Sequence, residues 1–182
     1  FHTNDSGAIV APNLEWSDVA DLNYGHHELR KYMIEVMKFW VRDVGVDGFG
    51  CLNAELIPTD FWARARKEVE KIRTPILIAE SDTPIHHVEA FDATFSTTGG
   101  VEMNVEYEKL RSRSLGLMLD DEVKTFPRGF FRLRFTDRLS SYPQQRRRST
   151  ERASQEKLRA ALAFSLPGVP VKVFDEQSLA RL

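Results

Sequence analysis

Five short apolar segments alternate with longer helix-like segments along this chain, and this alternation limits the possible folds most strongly. The apolar segments are VGVDGFGCLN (44–53), PILIAES (75–81), AFDATFS (90–96), GFFRLRFTD (129–137) and VPVKVF (169–174). Strands that alternate with helices predict an α/β fold with about five parallel strands and right-handed crossovers. Five steps are fewer than the eight of a closed barrel, so half of a (β/α)8 barrel and an open rearranged sheet both remain possible folds.

The segments between the strands have helical patterns. From His27 to Asp43 the apolar residues recur every three or four positions, which predicts one stripe packed on the sheet. That stripe comprises Leu29, Tyr32, Met33, Val36, Phe39 and Trp40. Thr59 is the predicted N-cap of a second helix that ends near Arg73. A helical or loop segment is expected at 85–89 and a further helix at 104–119. We predict one domain over 1–182, with 1–26 as an N-terminal loop segment and 27–182 as βα repeats.

Composition and charge exclude several classes of function. The 25 basic and 27 acidic residues give a net charge of −2, so there is no overall electrostatic case for nucleic acid or an anionic membrane. The apolar runs are too short for the ~20 residues that cross a bilayer. Cys51 is the single cysteine, so no internal disulfide can form, and its apolar neighbours predict an inert buried thiol. No cofactor or metal motif is found, so we expect neither.

Five stretches of the chain carry a family resemblance. They are WSDVADLNYGHHELRKYMIEVMKFWVRDVGVDGFGCLNAELIPTDFW (16–62), ILIAESDTP (76–84), AFDATFS (90–96), FPRGFFRLRFTD (126–137) and LAFSLPGVP (162–170). Together they closely resemble the α-amylase superfamily of glycoside hydrolases, particularly its bacterial α-amylase members. Their order and spacing resemble strands four to eight of the family's barrel, so the resemblance implies the C-terminal half of a (β/α)8 barrel.

The resemblance also implies where catalytic groups would stand. A retaining glycosidase uses a nucleophilic carboxylate and a carboxylic acid about 5 Å apart. The family's arginine position falls on Gly50 and its nucleophile position on Leu52, whereas Glu80 matches the general acid. The family's asparagine, histidine and aspartate after the seventh strand are replaced by Arg138, Leu139 and Ser140. Asp137 is close to this motif but out of step with it.

Three functions follow from this pattern. The favoured one is a catalytically inactive or crippled half-barrel without a native substrate, either engineered or a natural pseudoenzyme. The second is a retaining glycoside hydrolase on α-1,4-glucans with Glu80 as general acid and Asp137 as an unrecognised nucleophile. The third is a carbohydrate-binding remnant, in which His86, His87 and Trp16 contact an α-glucan oligosaccharide.

The alternative to sugar contact is that these histidines are simply exposed and that tryptophans pack in the core. Adjacent histidines in a polar loop are more often simply exposed, and Trp40 and Trp62 are expected to be core residues. A half-barrel also leaves sheet edges and an apolar face uncovered. A homodimer, collapse into a flatter sheet or pairing with a missing N-terminal half would each cover them, and we favour the first two.

Overall fold

The computed structural model describes residues 1–12, 19–95, 112–135 and 160–171. The helices are α1 (His27–Phe39), α2 (Thr59–Glu70), α3 (Ile85–Glu89), α4 (Ser112–Thr125) and α5 (160–165). The strands are β1 (Gly48–Cys51), β2 (Ile76–Glu80), β3 (Ala93–Phe95), β4 (Leu133–Phe135) and β5 (Val169–Val171). A strand therefore lies within each of the five predicted segments.

All neighbouring strands pair in parallel. β1 pairs with β2 and β2 with β3, while β4 pairs with β5. A parallel bridge between Thr94 and Arg132 connects the two groups, so the spatial order follows the chain order. The predicted α/β class with about five parallel strands is confirmed. The single-domain assignment stays a prediction.

The register and burial of the strands define two faces of the sheet. Phe49, Cys51, Leu77 and Ala79 belong to or pack on the hydrophobic core shared with α1 and α2, so we call this helix-covered side the outer face. Because side chains alternate along a strand, the intervening residues point to the opposite inner face. That inner row comprises Gly48, Gly50, Ile76, Ile78 and Glu80.

The predicted stripe on α1 was partly wrong. The buried residues of this segment are Ile34, Met37 and Val41, whereas Tyr32, Phe39 and Trp40 are 65%, 46% and 45% exposed. Two apolar stripes overlap in the sequence, and the one spaced 34–37–41 packs inward. The chain also widens into a π-helical turn at Trp40–Val44, which departs from the 3.6-residue period on which the prediction relied.

Two predicted helix boundaries were also wrong. Pro58 is the residue before α2, and Thr59 is already helical without a capping hydrogen bond from any side chain. The fixed φ of proline suits this position as well as a side-chain cap would, since it holds the entering chain extended. The helix expected to end at residue 119 continues to Thr125. Residues 104–111 of that prediction lie outside the described part.

Candidate active site

Three residues lie at or just after the carboxyl end of β1, where a barrel enzyme would have its active site. Gly50 is exposed, and a Cβ built on it would meet nothing within 4 Å. Leu52 follows the strand and is 57% exposed. Asn53 then adopts a left-handed backbone conformation with φ of 51°, which ends the strand instead of extending it. No carboxylate is present in this stretch before Glu55.

Glu80 ends β2 on the inner face and is 3% exposed. Its Oε2 accepts a hydrogen bond of 2.6 Å from the backbone N–H of Asn53. A hydrogen bond from an amide to a carboxylate is a strong one, so Glu80 is firmly oriented. Within the described ranges, neither a second carboxylate nor a cationic side chain contacts it. Glu80 is therefore a buried, oriented carboxyl group without a catalytic partner in that part of the chain.

The turn that follows Glu80 is held by Glu55. Its Oε1 accepts hydrogen bonds from Ser81 Oγ (3.1 Å), the Asp82 N–H (2.6 Å) and Thr83 Oγ1 (3.0 Å). This carboxylate therefore has a structural task, since it joins the loop after β1 to the turn after β2. Sequence reasoning assigned no role to Glu55. The available signal was its position just after the end of a predicted strand.

The two histidines of α3 lie on the outer side of the sheet. His86 is 1% exposed and its Nδ1 is 2.8 Å from Ser81 Oγ. His87 is half-buried and its Nε2 is 2.7 Å from Thr94 Oγ1. The expectation of two exposed loop histidines was wrong, because α3 packs both rings against the sheet. Their contact with a sugar stays a prediction.

Burial lowers the pKa of both rings. For His86 the nearby Glu55 carboxylate acts against this shift. For His87 the Arg132 guanidinium and then His86 lower the pKa further, to about 4. Both rings are therefore neutral at physiological pH, and neutral imidazoles fit hydroxyl partners in a buried setting.

A buried ionic cluster, here called the arginine joint, connects the two groups of strands on the outer face. It consists of Arg132, Arg134, Glu122, Asp82 and Thr94. The Arg132 guanidinium donates to Thr94 Oγ1 (2.6 Å), to the Ser81 carbonyl (2.7 Å) and to Glu122 Oε1 (3.2 Å), and it also pairs with Asp82.

Arg134 completes this cluster. It binds Glu122 through both terminal nitrogens and donates from Nε to the Pro167 carbonyl at 3.0 Å. Sequence reasoning missed the joint. The alternation in FFRLRF was the available signal, because it places both arginines on one face of a strand.

The other predicted site residues are distributed as follows. Asp137 and Trp16 lie outside the described residues. Trp62 is buried and donates from its indole nitrogen to the Ala54 carbonyl at 3.0 Å, so its predicted packing role is confirmed. Cys51 is half-buried, and burial raises the pKa of its thiol to about 12. This agrees with the predicted inert thiol, because the thiolate is the reactive form.

Among the residues that the structure describes, no group of three or more His, Cys, Asp or Glu side chains could hold a metal ion. No described helix is long and apolar enough to span a bilayer.

Two solved α-amylase structures are similar to this chain in fold and in sequence. A maltogenic α-amylase from Thermotoga neapolitana is 30% identical, with a TM-score of 0.74 over 97% of this chain and 41% of that protein. An α-amylase from Lactobacillus plantarum is 27% identical, with a TM-score of 0.74 over 97% of this chain and 45% of that protein. The chain is an α-amylase-like partial barrel.

Sequence comparison gives a shorter match of the same kind. A cyclomaltodextrinase from Geobacillus thermopakistaniensis is 30% identical over 57 residues, which are 31% of this chain and 10% of that protein. No family model matches the chain. The α-amylase-like partial barrel thus spans less than half the length of the solved relatives and about a tenth of this curated one.

The similarity to barrel proteins indicates where the strand ends, the two histidines and the arginine joint lie relative to a (β/α)8 barrel. In (β/α)8 barrels the chemistry lies at the carboxyl ends of the strands, where this partial barrel has Leu52, Asn53 and Glu80. The two histidines and the arginine joint lie between the sheet and its helices. They are thus part of the barrel wall.

Proposed function

We propose that this chain is a catalytically inactive α-amylase-like partial barrel that does not hydrolyse α-glucans. The observation that carries the proposal is the neighbourhood of Glu80. At the carboxyl end of β1, next to this carboxylate, the chain has Gly50 and an exposed Leu52. A retaining mechanism needs a second carboxyl group about 5 Å from the acid, and neither residue provides one.

The nearby carboxylates support the same conclusion because they are already engaged. Glu55 accepts three hydrogen bonds from the turn after β2. Asp82 pairs with the buried Arg132. Either group would have to leave a bonded position before it could attack a sugar, which would cost the stability of that turn. Among the residues that the structure describes, Glu80 then remains as a general acid without a nucleophile.

Hydrolysis of a chromogenic maltooligosaccharide tests this proposal. We expect the wild-type chain, Glu80→Gln and Asp137→Asn to release chromophore at one shared background rate. The two substitutions remove the acid and the proposed alternative nucleophile while preserving side-chain size. Wild-type activity that is lost in both variants would overturn the proposal and establish the glycoside hydrolase alternative. Activity that all three share would come from a contaminant.

A carbohydrate-binding remnant is the other candidate, favoured by the firm orientation of Glu80, which could accept a hydrogen bond from a sugar hydroxyl. Calorimetric titration with maltoheptaose separates it from the inactive barrel without bound sugar. Heat that disappears in Glu80→Gln would indicate binding at the strand ends. Absence of heat would count against the remnant.

The homodimer expected from the sequence also stays a prediction. Its physical reason is the inner face, where Ile76 and Phe131 are 58% and 57% exposed. The mass of the chain in solution tests it, since a monomer would contradict the prediction.

A further inference from the structure

The two groups of strands meet at a narrow polar joint. Between β3 and β4 the described backbone forms a bridge at Thr94 and Arg132, with a hydrogen bond of 3.0 Å from the Thr94 N–H to the Phe131 carbonyl. Arg132 is 2% exposed and binds across this boundary, on one side to Ser81, Thr94 and Asp82 and on the other to Glu122. In the described part of the chain, the attachment of β4 to β3 therefore depends on this bridge and on the buried polar contacts of Arg132.

The hydrogen bonds of this joint favour one tautomer of neutral His87. Thr94 Oγ1 accepts a hydrogen bond from Arg132, so its own hydrogen is free to point at His87 Nε2, 2.7 Å away. In this arrangement His87 accepts at Nε2 and carries its proton on Nδ1. The ring centroids of Phe126 and Phe130 lie 5.4 and 5.9 Å from that of the imidazole, so both rings pack edge-on against it.

Within the described part of the chain, charge in the joint is balanced only while His87 is neutral. Arg132 and Arg134 are matched there by Asp82 and Glu122. The other described titratable groups that face the two rings are His86 on the same helix and Glu55, which is directed at His86. A proton on His87 would add a third cation beside Arg132 without a third anion among these groups, in a setting where charge is weakly screened.

We propose that the arginine joint is an acid-opened connection, in which protonation of His87 separates β4, α4 and β5 from an intact β1–β3 unit. The unfolded histidine binds its proton near pH 6.5 and the folded one only near pH 4. The opened state therefore takes up a proton first, and the joint is most stable above the unfolded value. Stability is lost as the pH falls from about 6.5 towards 4.

Hydrogen exchange measured by mass spectrometry tests this between about pH 7 and pH 4.5. After correction for intrinsic exchange rates, protection of 129–135 and 116–125 should fall about tenfold per pH unit below about pH 6.5, as expected for uptake of one proton. Protection of 76–80 should stay nearly constant. Equal loss in both regions would mean global unfolding and would overturn the proposal.

Two histidine variants test whether His87 causes this pH dependence. His87→Gln keeps an acceptor for Thr94 and cannot be protonated, so protection of 129–135 should become independent of pH in this window. His26→Gln removes an exposed histidine and should behave as wild type. An unchanged slope in His87→Gln would contradict the proposal. If His87→Gln does not fold, an NMR titration of the His87 ring in the wild-type chain provides the test. A titration midpoint near pH 6.5 would contradict the proposal.

Discussion

The outer and inner faces of the sheet differ in how far their side chains are buried. On the outer face Leu77 and Ala79 are fully buried, and even the charged Arg132 has a bonded partner for each of its nitrogens. On the inner face Ile76 and Leu52 are 58% and 57% exposed, and Gly50 faces open space. The contacts that specify the fold therefore lie on the helix-covered side, so the reactive end can change without loss of the fold.

The largest expected effect comes from breaking the arginine joint. Arg132→Met would remove one of the two arginine partners of the buried Glu122 and the ion pair of the partly exposed Asp82, and removing one member of a buried ion pair costs about 3–5 kcal/mol of unfolding free energy. Urea denaturation measures this. Arg73→Met is the matched control, since its pair with Asp47 is exposed and should contribute at most about 1 kcal/mol. Equal losses in the two variants would refute the central role of the joint.

A second pair of variants compares the two faces within one strand. Leu77→Ala removes a fully buried side chain and should cost about 2–5 kcal/mol. Ile76→Ala, one residue earlier on the inner face, should cost less than about 1 kcal/mol. Thermal and urea unfolding give both values. A large cost for Ile76→Ala would show that the inner face is covered in solution, as the predicted homodimer requires.

The smallest expected effect contrasts two glycines of β1. A Cβ on Gly48 would lie 1.9 Å from the Ile76 carbonyl oxygen, whereas one on Gly50 meets nothing within 4 Å. Gly48→Ala should therefore destabilise by about 1–3 kcal/mol, because strand backbones must move apart. Gly50→Ala should change stability by no more than about 0.5 kcal/mol. Denaturation midpoints that rank the two variants in the reverse order would contradict this description of β1.

Strand positions could be predicted from sequence because each is a short apolar run between helical patterns. PILIAES and GFFRLRFTD each contain an observed strand, since a short apolar run of this length is a signal that needs no knowledge of partners. The stripe on α1 was less predictable. Periodicity alone offered two overlapping stripes, one through Trp40 and one spaced 34–37–41, and only packing on the core decides that Val41 is buried.

The polar interior could not be predicted in the same way. His86 and His87 occupy a polar stretch that is typical of a loop, and their burial depends on Ser81 and Thr94 being placed opposite them. Glu122 and Arg134 are twelve positions apart and become partners only once α4 packs on β4. Buried polar contacts between distant segments leave no periodic signal, so sequence patterns find the apolar core and miss its ionic parts.

The hydrogen bond between Asn53 and Glu80 has a consequence for how this chain can change. The donor is a main-chain amide, so any residue at position 53 that tolerates a left-handed backbone would preserve it. The bond therefore constrains the backbone at position 53 and the carboxylate at position 80, and it leaves the side chain at position 53 free to vary. The fold has its own use for a carboxylate at position 80, separate from any chemistry at the strand ends.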